Sequence, residues 1–159
     1  MKTLIMYATK SGTTKKCSDK LAELIPDTII CNFREKPKNI EQFPNIILGS
    51  YVRMNKIDHS LVRFMKKYSG ILIEKKVGVF VCCLSKDEPS QIMKKIIPET
   101  LRKGINRFES FGGELDLSKL NGMYKIIMKA MIENPDTGVQ TEYEIDESAI
   151  KSFAEYFLC

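Results

Sequence analysis

The strongest constraint on this chain is the order in which short apolar runs and longer amphipathic stretches follow one another. Residues 3–7, 28–31, 46–48 and 77–83 are short apolar runs without helical period, which read as buried strands, and residues 107–111, ending at Gly112-Gly113, read as a fifth. Helical periodicity fills the gaps between them. Cys17, Leu21 and Leu24 recur at helical spacing, with Ala22 and Ile25 alongside and Pro26-Asp27 as a stop. Leu61, Phe64, Met65 and Tyr68 follow Asp58, a good helix cap. Ile92, Ile96, Ile97 and Leu101 follow Pro89, which suits a first helical turn. Ile150, Phe153, Ala154 and Phe157 follow Asp146, a second cap. Residues 34–44 are polar, carry Pro37 and Pro44, and read as a loop with at most a short helix. Strands that alternate with helices imply βαβ units, hence a parallel sheet with helices on both faces.

Composition narrows the class further. A chain of 159 residues, 43% hydrophobic, buries a core without staples, and one domain over residues 1–159 is expected. No apolar run approaches the ~20 residues of a membrane span. The opening Met1-Lys2-Thr3-Leu4-Ile5-Met6-Tyr7 turns polar too soon for a signal peptide, so a cytoplasmic protein is expected. Five cysteines (Cys17, Cys31, Cys82, Cys83, Cys159), no C-x-x-C and a single histidine, His59, predict free thiols and no metal site. The net charge of +5 favours anionic partners, but no RNP, zinc-finger or helix-turn-helix pattern supports nucleic acid.

Ligands of open α/β sheets bind beyond the carboxyl ends of the strands, at the switch in strand order. The first loop at that edge is Thr9-Lys10-Ser11-Gly12-Thr13-Thr14, crowded with hydroxyls and followed at once by a helix. Hydroxyl donors, a flexible glycine and a helix N-terminus together make a phosphate cradle. The loop has neither the second glycine and Lys-Ser/Thr of a Walker A motif nor the three glycines of a dinucleotide fingerprint. A terminal phosphate monoester suits it. An ordinary polar turn in which Thr13 or Thr14 caps the helix is the alternative.

This loop resembles the flavodoxin phosphate loop, Thr/Ser-x-Thr-Gly-x-Thr, with serine at the third place. The similarity extends over the order of strands and helices. It is greatest to the branch that includes the menaquinone-dependent protoporphyrinogen oxidases, through Met1–Ile5 in sequence, Ile47-Leu48-Gly49-Ser50-Tyr51-Val52-Arg53, and the region from Gly112-Gly113 to Lys129. The resemblance implies a flavodoxin-like doubly wound five-stranded parallel sheet of order 2-1-3-4-5. It also implies flavin mononucleotide (FMN) held through its phosphate by residues 9–14. Two more loops, Ser50-Tyr51-Val52-Arg53-Met54-Asn55 and Cys82-Cys83-Leu84-Ser85-Lys86, are then expected beside the flavin ring, with Arg53 or Lys86 near its anionic edge.

Simple carriers of this family place aromatic rings in both loops and tend to be acidic. This chain has no Trp, no aromatic residue in its second loop, and a basic charge. Three functions therefore stay open: a quinone-linked oxidoreductase acting on a porphyrinogen-type substrate, an electron shuttle between protein partners, and a non-redox phosphate- or nucleotide-binding module. Residues 117–132 bear on the choice. They hold Leu120, Met123, Tyr124, Ile126, Ile127, Met128, Met131 and Ile132 among Lys119, Lys125 and Lys129. Such a helix either packs on the sheet or lies on an anionic membrane surface, such as the inner membrane face. Cys82-Cys83 are expected mainly as small packing residues, with thiol–flavin chemistry as the alternative. Asn134-Pro135-Asp136-Thr137-Gly138 is a turn signal.

Overall fold

A computed structural model describes residues 1–35, 39–85, 87–115, 117–134 and 143–159, with the Lys119 side chain left aside. Pro37, Lys86 and the 135–138 part of the turn signal lie outside the described residues.

Five parallel strands form the sheet: β1 (Thr3–Tyr7), β2 (Thr28–Asn32), β3 (Asn45–Arg53), β5 (Lys76–Cys82) and β6 (Arg107–Ser110). Their order is β2-β1-β3-β5-β6, and a two-residue strand, β4 (Lys56–Ile57), pairs antiparallel with the end of β3. Counting parallel strands alone, this is the expected order 2-1-3-4-5. The helices are α1 (Thr13–Leu24), α2 (His59–Lys67), α3 (Ser69–Leu72), α4 (Pro89–Ile96), α5 (Glu99–Arg102), α6 (Gly122–Glu133) and α7 (Glu147–Leu158).

The side-chain alternation of the strands divides the core into two layers. Leu4, Met6, Ile46, Leu48, Val77, Val79 and Val81 face one layer, sealed by Leu61, Phe64 and Met65 of α2, Ile92 and Ile96 of α4, and Leu101 of α5. Ile5, Ile47, Phe80 and Cys82 face the other, sealed by Cys17 and Leu21 of α1 and by Ile150, Phe153 and Phe157 of α7. Strands buried on both faces explain the continuous apolar runs of the sequence. Close packing in the second layer leans on glycine. A β-carbon on Gly78 would lie 2.5 Å from the Phe157 ring and 2.6 Å from that of Phe153.

Both predicted caps form: Asp58 accepts from the Ser60 amide at 2.8 Å, and Asp146 from that of Ala149 at 2.9 Å. Four expectations change. The helix after Pro89 is two short helices, because Pro98 interrupts the hydrogen-bond ladder between Ile96 and Glu99. Leu24 points outward, and Ile25 just past α1 takes the buried place. The 50–55 segment is mostly strand: β3 runs on to Arg53 and turns back through Met54 and Asn55, both with positive φ (51° and 56°). Finally, residues 122–133 are not a buried sheet-packing helix. Met128 is the one residue of α6 that is fully buried, and it belongs to neither core layer.

Candidate functional site

The carboxyl ends of four strands meet at one cleft. Lys10, Ser11 and Thr13 follow β1, and Tyr51, Val52 and Arg53 close β3. Cys82 and Leu84 end β5, Gly113, Glu114 and Leu115 follow β6, and Leu120 and Tyr124 reach in from the α6 segment. The void is about 130 Å³, several times the ~30 Å³ share of a single water.

The phosphate-loop candidate has a definite shape. Gly12 adopts φ 95°, a left-handed conformation, and a β-carbon there would meet nothing within 4 Å. The glycine is thus required by backbone conformation, and the space beside it is open. Thr9 Oγ1 accepts from the Gly12 amide at 3.0 Å and pins the turn. Helix α1 starts at Thr13 without any side-chain cap, so neither Thr13 nor Thr14 caps it, and the amides of its first turn have no carbonyl within the helix to bond. The Ser11 and Thr13 hydroxyls lie 3.3 Å apart. Beneath them, the Thr14 hydroxyl is buried with no hydrogen-bonding partner among the described residues. An orphaned buried hydroxyl, free helix amides and a left-handed glycine beside open space are what an anion-holding turn needs.

Opposite this turn, the β3–β4 hairpin is braced from within. The Tyr51 hydroxyl donates to Asp58 Oδ2 at 2.8 Å, while Ser50 Oγ accepts from the Asp58 amide at 3.0 Å. Burial, then the bond to Asp58, pushes the Tyr51 phenol up to about 12. Burial works to raise Asp58 too, but hydrogen bonds from Ser60 and Tyr51 outweigh it and hold this carboxyl below its ordinary value. Arg53 sits over Tyr124, its guanidinium carbon 3.7 Å from the ring centroid, and joins the hairpin to α6. Lys10 sits 5.6 Å from the Tyr51 ring centroid.

The two vicinal thiols part company. Cys82 faces the cleft and the α1 layer, with its Sγ 3.7 Å from that of Cys17. That contact, reinforced by burial, drives the Cys82 thiol well above its usual range, while the Thr14 hydroxyl beside it pulls the other way. Cys83 faces the opposite layer, and burial raises its thiol as well.

Of the residues singled out in the sequence, Lys10, Ser11, Thr13, Tyr51, Val52, Arg53, Cys82 and Leu84 line the cleft. Thr9, Gly12 and Thr14 shape the turn beside it. Ser50 braces the hairpin, Met54 sits on its exposed tip, Cys83 packs in the other layer, and Ser85 donates its amide to Cys83 Sγ at 3.4 Å. Gly113, Glu114, Leu115, Leu120 and Tyr124 were missed. The Gly112-Gly113 pair was their signal: Gly112 has φ 65° and its carbonyl accepts from the Cys83 amide at 2.8 Å, which draws the following segment against the β5 loop.

The profile of the family described as Flavodoxin domain matches residues 4–143 of this chain. The chain belongs to the flavodoxin-domain family. Solved structures agree on the fold. The chain is similar to a two-electron reduced flavodoxin of Megasphaera elsdenii (16% identity, 68% of this chain and 82% of that one, TM-score 0.54). It is also similar to a flavoprotein of Lactobacillus acidophilus NCFM in complex with FMN (17%, 69% and 91%, TM-score 0.54). A third similarity, to the rubredoxin oxygen:oxidoreductase of Desulfovibrio gigas, spans 99% of this chain but 37% of that one (13%, TM-score 0.53). Comparison with curated protein sequences finds no match.

Proposed function

We propose that this chain holds FMN in the cleft and exchanges electrons with an apolar reactant, a quinone or a porphyrinogen-type substrate, that reaches the flavin past α6. The observation that carries the reading is the uncapped start of α1, with the orphaned Thr14 hydroxyl under a left-handed Gly12. The membership of the family and the FMN complex of the L. acidophilus flavoprotein point to the same cofactor.

When bound, FMN supplies reversible one- and two-electron chemistry. The chain's own residues do the rest. Ser11, Thr13 and the first-turn amides of α1 would hold the phosphate, with the helix dipole favouring its charge. Val52, Leu84, Leu115 and Leu120 supply apolar walls that exclude water from the ring. Arg53 brings a fixed positive charge to the same cleft and favours the anionic, reduced form of whatever is held there. The aliphatic lining and the apolar α6 beside it favour a reactant that is itself apolar over one recognised by charge.

The test is anaerobic reoxidation of the dithionite-reduced, FMN-loaded protein by a water-soluble quinone. Two electrons and two protons pass to the quinone, giving the quinol and oxidised flavin. The rate is expected to saturate with quinone and to fall when Leu120 is replaced by Asp. Loaded protein that neither reoxidises with quinone nor oxidises protoporphyrinogen, yet exchanges electrons with a flavodoxin-type protein partner, would replace this reading with that of a shuttle.

A further inference from the structure

Helix α6 turns an apolar stripe toward solvent. Met123, Ile126, Ile127 and Met131 follow one another at helical spacing and are 77%, 69%, 40% and 37% exposed, with Ala130 exposed between them. The opposite side of the helix carries Tyr124, in the cleft wall, and the buried Met128. Met123, Ile126 and Ile127, three large apolar side chains open to water on a twelve-residue helix, are an unfavourable surface unless something covers it.

The charges beside the stripe indicate what does. Lys129 is exposed beside it on α6, while Lys125 is half-buried on the far side of the helix, and the one acidic residue of α6, Glu133, is its last. At the N-terminal turn of α6 the Arg53–Tyr124 contact brings up the β3–β4 hairpin. Its tip adds Met54, 74% exposed, between Arg53 and the exposed Lys56. Met54 is held outward by a left-handed backbone that methionine rarely adopts (φ 51°). Glu114, at the cleft edge, is neutralised by Lys16 at 2.8 Å. Apolar side chains bordered by Lys129 and Lys56 match the interface of an anionic bilayer, where methionine and isoleucine enter the acyl boundary and lysines meet the headgroups. At about 18 Å, α6 is shorter than the ~30 Å hydrocarbon core, and no described helix is long and apolar enough to cross a membrane.

We infer that the exposed face of α6, with the Met54 hairpin tip, docks the protein on anionic phospholipid bilayers and sets the mouth of the cleft against the lipid. Docking of this kind is read on the protein and does not depend on the cofactor assigned above.

The experiment is flotation of the full chain, with and without added FMN, on vesicles of phosphatidylcholine alone or with about 30 mol % phosphatidylglycerol. The protein is expected to float with the anionic vesicles, to release them as salt is raised, and to ignore the neutral ones. Ile126→Asp is expected to lower partitioning about tenfold or more, the loss of one inserted apolar side chain. Lys129→Gln with Lys56→Gln is expected to weaken it further while flattening the salt dependence. Circular dichroism of each variant keeps a folding defect apart from a docking defect. Equal binding to both vesicle types, binding to neither, or a wild-type dimer that Ile126→Asp turns into monomer would each overturn the inference, the last by showing that a second copy covers the stripe.

Discussion

The Arg53 guanidinium lies 3.7 Å from the centroid of the Tyr124 ring, across the mouth of the cleft. Seventy-one positions separate the two residues, so the contact ties the β3–β4 hairpin to α6. A planar cation over a phenol ring is worth about 0.5–1 kcal/mol at a partly exposed site. A double-mutant cycle with Arg53→Ala and Tyr124→Ala, read by chemical denaturation, is expected to give a coupling of that size. Strictly additive losses would mean that the two side chains meet without holding α6.

The turn after β1 makes a sharper prediction. Gly12 sits at φ 95° with open space on its β-carbon side, so Gly12→Ala meets backbone strain and no steric block, with a loss of about 1 kcal/mol in stability. Thr13→Ala and Ser11→Ala leave the fold alone and are expected to weaken FMN binding by about 1–2 kcal/mol each, the scale of a lost hydrogen bond to a charged group. Chemical denaturation checks Gly12→Ala, and fluorescence titration with FMN checks the two hydroxyl variants. Unchanged affinity in both hydroxyl variants would move the phosphate elsewhere.

Proton linkage follows from the Tyr51–Asp58 pair. The folded phenol titrates at about 12, above the ~10 of an unfolded tyrosine. The unfolded chain therefore gives up this proton first, and the Tyr51 contribution is whole below pH ~10 and is lost as pH rises toward 12. Asp58 runs the other way: its lowered carboxyl contributes above the ordinary aspartate range and ceases to as pH falls through its folded value. Tyr51→Phe is expected to remove the high-pH loss. A tyrosinate absorbance titration of wild type minus Tyr51→Phe is expected to show a single late transition. A transition near 10 would contradict the buried hydrogen bond.

Packing gives a test without any ligand. A methyl group on Gly78 must push into the Phe153 and Phe157 rings that close the α7 layer. Gly78→Ala is expected to cost about 1–3 kcal/mol, a fall in melting temperature of roughly 2–4 °C per kcal/mol for a chain of this size. An unchanged melting temperature would mean that α7 moves freely on the sheet.

Much of this architecture was legible because its signals are local. Four apolar runs, the Asp58 and Asp146 caps and the hydroxyl-rich turn each carry their meaning within a few residues. The misses have a physical pattern. Pro98 divides a helix whose apolar spacing runs on past it. The β3–β4 turn uses Met54 and Asn55 in left-handed conformations, without the glycine that marks such turns in a sequence. Tyr124 and Leu120 enter the cleft through a return of the chain after Gly113. Periodicity describes what an element buries, not which distant strand end it passes over.

The central claim is that a phosphate is held where β1 gives way to α1. The most direct measurement compares the affinity of the apoprotein for FMN with its affinity for riboflavin, the same ring system without the phosphate. The account predicts yellow, saturable binding of FMN and a loss of about a hundredfold or more with riboflavin, since several charge-assisted hydrogen bonds of about 1.5–3 kcal/mol each disappear together. Equal affinity for the two ligands, or no binding of either, would contradict it.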